Sequence, residues 1–206
     1  MRKLALLLAV MLLLSMTACQ KQPAGNADPT TPTTTAPYTP TRVDTFTVGT
    51  VNGTSYENAF FGIGCNLGSD WTIDNATMST PSLNGQADVN AAAAAAQEFT
   101  DMSAIGSVGY LRIGVENMAL LTDPGATADD FIEGKRASYE ANPELVIEDI
   151  SATIGTLTCK GLKITVDENL TDVSYYIPCG KYFITLCFQV ADPTVVDQLL
   201  PLFYTF

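Results

Sequence analysis

Residues 147–190 read IEDISATIGTLTCKGLKITVDENLTDVSYYIPCGKYFITLCFQV, and this stretch decides the fold. β-Branched and aromatic residues dominate it and recur with a period near two, as in strands. Three clusters interrupt the pattern: Cys159-Lys160-Gly161, Asp167-Glu168-Asn169 and Pro178-Cys179-Gly180. The expectation is four strands, Ile147 to Leu157, Leu162 to Val166, Val173 to Ile177 and Tyr182 to Val190. Connections this short join antiparallel neighbours, so the segment reads as a four-strand meander.

Working outward, Asp192 followed by Pro193 reads as an N-cap and first helical residue, with Val195, Val196, Leu199 and Leu200 as the apolar face. On the N-terminal side, Thr127 with Asp130 three residues on is a variant capping box. It opens a helix through Phe131 and Tyr139 that stops near Asn142-Pro143. Val108 to Val115 reads as a strand with Leu111, Ile113 and Val115 inward. Asp88 to about Ile105 is expected to be helical, because Ala91 to Ala96 is an unbroken run of the best helix former. Phe60 to Leu67 alternates, placing Phe61, Ile63, Cys65 and Leu67 on one face. Gly62 and Gly64 on the other admit a close neighbour, expected to be a helix. Thr45 to Val51 is extended, and Asn52-Gly53 is a hairpin signal. One antiparallel sheet flanked by segregated helices is an α+β domain.

The first residues have a different design. Arg2 and Lys3 precede the apolar run Leu4 to Leu14, which ends in Ser15-Met16-Thr17-Ala18-Cys19. That is the three-block pattern of a secretory signal, and the run is shorter than the ~20 apolar residues that span a bilayer. Gln20 to about Arg42 is rich in Thr and Pro and too poor in apolar groups to form a core, so it reads as a stiff tether. The expected organisation is residues 1–18 signal peptide, 19–43 N-terminus and tether, and 44–206 a single globular domain.

The chain carries 22 Asp and Glu against 10 Lys and Arg, a formal charge of −12. Loss of Arg2 and Lys3 on cleavage would take this to −14. Such a balance argues against nucleic acid and against adhesion to anionic head groups. There is no histidine, which excludes His-based triads, general bases and metal shells. No P-loop, Rossmann fingerprint or G-x-S-x-G occurs, and no cofactor is expected. Asp123, Asp129 and Asp130 lack the alternation of a calcium loop and read as helix-capping and solvated groups.

Cys65, Cys159, Cys179 and Cys187 remain once Cys19 is set aside; an even count invites disulfides, but the positions read as free structural thiols. In a meander the first and third turns share one end of the sheet. That places Lys160 and Lys181 there, with Lys163 nearby. Lysines at such turns are commonly mere solvated groups. Gathered on an acidic domain, these three also form a candidate contact edge for an acidic partner. Turns two strand spacings apart lie about 10 Å from each other, beyond the ~7 Å Cα separation of a disulfide.

Two resemblances extend this reading. Met16-Thr17-Ala18-Cys19 resembles the lipobox of bacterial lipoproteins, with Met in place of the usual Leu. The resemblance implies a diacylglyceryl thioether on Cys19, cleavage before it, and a protein held by its acyl chains to the outer face of the cell membrane. From about residue 45 to 206, the order of elements resembles the PsbP-like fold. A Gly-rich strand (Asn58-Ala59-Phe60-Phe61-Gly62-Ile63-Gly64) runs toward Trp71, and a meander and terminal helix close the domain. Small lipoproteins of gut Firmicutes begin similarly. That family implies a binding or scaffolding module, for a small ligand or an envelope protein, with no catalytic residues to transfer. The alternative is a hydrolase using carboxylates alone, which requires two buried carboxyls facing each other across a cleft.

Overall fold

The computed structural model describes residues 41–74, 80, 83–120 and 127–206. The signal, Cys19 and the tether up to residue 40 lie outside them, as does Asp123. Residues Thr39–Phe206 group into one compact unit.

The meander is present, its two inner strands longer than expected and its first strand ending at Ile154 rather than Leu157. β7 (Val146–Ile154), β8 (Leu157–Asp167), β9 (Leu170–Cys179) and β10 (Tyr182–Val190) pair consecutively in antiparallel order. β10 then pairs along its other edge with β6 (Gly109–Asn117), which pairs with β5 (Glu98–Gly106), and β5 with β4 (Trp71–Asp74). The result is a seven-stranded sheet ordered β4-β5-β6-β10-β9-β8-β7. A second sheet of four strands is ordered β1-β2-β3-β11, from Thr50–Asn52, Ser55–Asn58, Ile63–Asn66 and Phe203–Thr205. Helices α1 (Val89–Ala95), α2 (Ala128–Glu140) and α3 (Val196–Leu199, between two 3-10 turns) complete an α+β fold.

Alternation along each strand divides the apolar residues between two cores. Tyr56, Ile63, Cys65 and Phe203 of the small sheet, with Phe61 from the turn between β2 and β3, pack with Leu111, Ile113, Val115, Ile184, Leu186 and Phe188 of the large one. On the opposite face, Phe131 of α2 stacks on Phe183 at 4.3 Å, beside Leu162, Ile164 and Tyr176. The large sheet is therefore covered on both faces, which is why β10 is almost continuously buried.

Several expectations hold in detail. Thr127 accepts from the Asp130 backbone N–H at 3.2 Å, while Asp130 accepts from the Thr127 N–H at 2.8 Å, completing the capping box. Asp192 caps the turn that leads into α3, with Pro193 inside it. Phe61, Ile63, Cys65 and Leu67 are all buried.

Others are corrected. The helix expected over Asp88 to Ile105 ends at Ala95, and Glu98 onward is strand β5. Seven residues cannot sustain a helix by propensity alone. Beyond them, Phe99, Met102 and Ala104 gain more by burial against the small sheet while their backbone pairs with β6. The first meander turn lies at Gly155-Thr156, between the paired Ile154 and Leu157, and not at Cys159-Lys160-Gly161. Gly155 is left-handed at φ +58, as a two-residue hairpin loop requires. Gly161 instead sits within β8, where a Cβ would strike the Ser174 carbonyl of β9. The neighbour over Gly64 is not a helix but the chain's last strand. A Cβ there would stand 2.6 Å from the Tyr204 ring, whose hydroxyl donates to Glu57 at 2.7 Å. The expected single sheet is thus two.

Candidate functional site

The corrected turn rearranges the lysines. Lys160 lies within β8, paired across the sheet with Ser151 and Tyr176. Its side chain points to α2 and its Nζ binds Asp129 at 2.6 Å. Lys163 is three residues on and so projects from the opposite face, where it pairs with Glu148 at 2.7 Å. Lys181 alone stands at a turn, its Nζ 5.2 Å from the centre of the Tyr182 ring. The three do not share an edge, and two of them already hold carboxylates. The expected contact edge is not formed.

Lys160 instead helps to line an open cleft of about 490 Å³ between α2 and strands β7 and β8. Asp129, Ile132, Glu133 and Arg136 come from one flank of α2, and Asp149, Ile150, Ser151, Lys160 and Gly161 from the sheet. Helical spacing puts 129, 132, 133 and 136 on one flank. Arg136 is the hub. It pairs with Asp149 across the cleft and lies 3.7 Å from Glu133 and 3.8 Å from Glu140 on its own helix. The Lys160 and Asp129 side chains are 66% and 72% exposed, so this pair contributes at most ~1 kcal/mol to stability. Such pairs can open for a ligand at little cost. Three carboxylates, two cations and a hydroxyl, beside Ile132, suit a polar ligand that is neutral or positively charged.

A second polar cluster lies inside the main core. Asp101 is fully buried at a bulge in β5, where pairing with β6 shifts between Thr100 and Met102. The extra residue turns the carboxylate toward the small sheet. There it accepts from the Gly49 N–H at 2.9 and 3.0 Å, the Tyr56 hydroxyl at 2.5 Å and Asn58 Nδ2 at 2.8 Å. Asn58 also donates to the Thr47 carbonyl and accepts from the Phe61 N–H. Burial, then the Asp101 charge, raise the Tyr56 phenol well above its ordinary value, so it remains a donor. Among the described residues Asp101 is the one buried carboxylate, and its partners belong to the chain itself. It joins the two sheets. The facing pair of buried carboxyls that the hydrolase alternative requires does not occur among the described residues.

All four domain cysteines are free. Burial pushes Cys65 and Cys187 up to about 12 and Cys159 to about 11, so these thiols are protonated and poor nucleophiles. The described residues contain no group of three or more acidic or cysteine side chains arranged to hold a metal.

Sequence reasoning missed Arg136 and Asp101. Arg136 carries a legible signal, acids three residues before and four after it on one helix face. Asp101 is concealed by the helical reading of its segment, which gives it no reason to be buried.

No protein-family model and no curated protein sequence matches the chain. Among solved structures, it is similar to the solution structure of cyanobacterial PsbP (CyanoP) from Synechocystis sp. PCC 6803. The identity is 13% and the TM-score 0.44, over 74% of this chain and 91% of that one.

Proposed function

We propose that the chain is the precursor of a lipoprotein anchored through Cys19 to the extracytoplasmic face of the cell membrane, and that its domain is a non-enzymatic binding or scaffolding module. The observation that carries the binding reading is the cleft beside α2, lined by charged groups of both signs, of which the Lys160–Asp129 pair is well exposed to solvent. The anchoring reading rests on Cys19 itself, which follows an apolar run and Ala18 and precedes a Thr/Pro tether. No helix of the described residues is long and apolar enough to cross a membrane. Two acyl chains on one cysteine satisfy the requirement that stable anchoring use more than one lipid chain.

Each half has its test. A Cys19→Ala chain should stay unprocessed and move to the aqueous phase on detergent partitioning; partitioning like the wild type overturns the anchor. For binding, residues 43–206 are screened by thermal melting against sugars, peptides, metals and lipids. A ligand at a hundred times its Kd stabilises by ~2.7 kcal/mol. At ~2–4 °C per kcal/mol, that is a rise of roughly 5–10 °C. Arg136→Gln and Lys160→Gln should abolish the rise. A ligand response that both substitutions leave intact places the binding elsewhere.

A further inference from the structure

On the other flank of α2, sharing no residue with the cleft, the large sheet carries a second patch. Arg112 and Gly114 of β6 lie directly across from Cys187 and Thr185 of β10. Residues two apart in a strand share a face, so the four form one small tile. A Cβ on Gly114 would stand 3.9 Å from the guanidinium carbon of Arg112 and 3.9 Å from Thr185 Cβ. The guanidinium therefore leans back over the glycine, next to the threonine.

Two side chains in this tile have no polar partner within the chain. Thr185 is 6% exposed, and its Oγ1 is the one buried side-chain polar atom among the described residues with no hydrogen-bond partner. Burying a hydroxyl unpaired is costly, and native domains rarely do it. Arg112 is the one basic side chain among the described residues without a hydrogen bond, ion pair or ring contact. Lys135, Arg136, Lys160 and Lys163 hold carboxylates, Arg42 donates to Cys179, and Lys181 covers Tyr182. Two of the acids around it are committed elsewhere. Glu116 pairs with Lys135 at 2.9 Å, and Asp172 accepts from Ser174, Cys187 and Gln189. On so acidic a chain, an arginine left unpaired is unexpected.

We propose that this tile binds a small oxyanion, a carboxylate or phosphate group of a ligand, through the Arg112 fork and the Thr185 hydroxyl. A guanidinium presents parallel donors that match two oxygens of either group. Thr185 supplies a further donor from the floor, and Gly114 leaves the space in which the anion sits. Arg112 is exposed, so its long side chain can lift to admit the anion without moving the sheet. The site is independent of the α2 cleft, and either can fail alone.

The test titrates the full-length protein with inorganic phosphate and with sodium acetate, against sodium chloride at matched ionic strength. Thermal melting and the Nε–H resonance of Arg112 are the readouts. The expected result is a saturable rise in melting temperature and a saturable Arg112 shift with phosphate or acetate and not with chloride. Whichever anion saturates identifies the group. Thr185→Val and Arg112→Lys should each weaken binding at least tenfold; the lysine variant, at an exposed position, keeps the charge and removes only the fork. The proposal is overturned if neither anion exceeds chloride, if the Arg112 resonance does not move, or if both variants bind as tightly as the wild type.

Discussion

Replacing Asp101 by alanine tests whether the two sheets are joined by the buried carboxylate or merely by apolar contact. The change removes the common acceptor of the Gly49 N–H, the Tyr56 hydroxyl and Asn58 Nδ2. Tyr56 and Asn58 are both essentially inaccessible, at 1% and 0%, so water does not replace the lost acceptor without opening the core. A buried donor left unpaired costs ~1–3 kcal/mol, and the three are coupled, so the loss is about 3–6 kcal/mol. Set against a typical stability of ~5–15 kcal/mol, this brings the domain close to unfolding. Tyr56→Phe removes one charge-assisted bond and leaves the others, which gives ~1.5–3 kcal/mol. Guanidinium unfolding followed by Trp71 fluorescence measures both, because Trp71 is buried in β4, the neighbour of the strand that carries Asp101. If Asp101→Ala lies within about 1 kcal/mol of the wild type, or costs less than Tyr56→Phe, the carboxylate does not organise this junction.

Further outcomes rest on the same geometry. The Cys65, Cys159 and Cys187 thiols are raised to about 12, 11 and 12 in the fold, from an ordinary value of 9.0. Their contribution is therefore full below pH 9 and is lost as pH rises toward 11–12. Unfolding free energy should fall above pH 9 by up to ~1.4 kcal/mol per pH unit for each thiol. A flat profile from about pH 8 to 11 would contradict the burial. In the native domain a thiol reagent should reach the partly exposed Cys179 well before the three buried cysteines, as mass spectrometry of the labelled peptides would show. Gly155→Ala should destabilise more than Gly53→Ala although both are left-handed, at φ +58 and +62. The first new methyl strikes Thr205 and the second meets nothing within 4 Å. Phe131→Ala, which removes the ring stacked on Phe183, should cost ~3–5 kcal/mol in the same denaturation assay.

Strands and caps were legible where the local signal and the tertiary demand agree. β10 reads as a strand in any window, and Thr127 with Asp130 specifies its own helix start through a hydrogen bond that spans three residues. Legibility failed where a strong local preference ended sooner than its composition suggests. The alanine run forms α1, but the conformation of the next segment is settled by Phe99 and Met102, whose burial depends on strands far earlier in the chain. Likewise β11 is three residues long and exists only because its backbone bonds to β3 across most of the chain. Neither Phe203 nor Tyr204 announces that pairing. A local periodicity contains no term for it.

The site shows why small local errors remove a functional expectation entirely. Placing the first meander turn at 159–161 puts Lys160 at a sheet end beside Lys181; moving it to 155–156 carries Lys160 into the body of β8. Because side chains alternate, Lys160 and Lys163, three apart in one strand, must then face opposite sides. What composition did convey is the scarcity of basic side chains on an acidic chain, and that scarcity is informative. Where carboxylates are abundant, nearly every cation finds one by chance geometry, so a paired lysine says little about function. An unpaired arginine beside an unpaired buried hydroxyl says more, since the fold had partners to offer and gave it none. The sequence criterion worth applying to such a chain is therefore not where lysines cluster. It is which cation faces a glycine and a hydroxyl across a strand pair, a pattern that becomes visible only once the register of β6 on β10 is known.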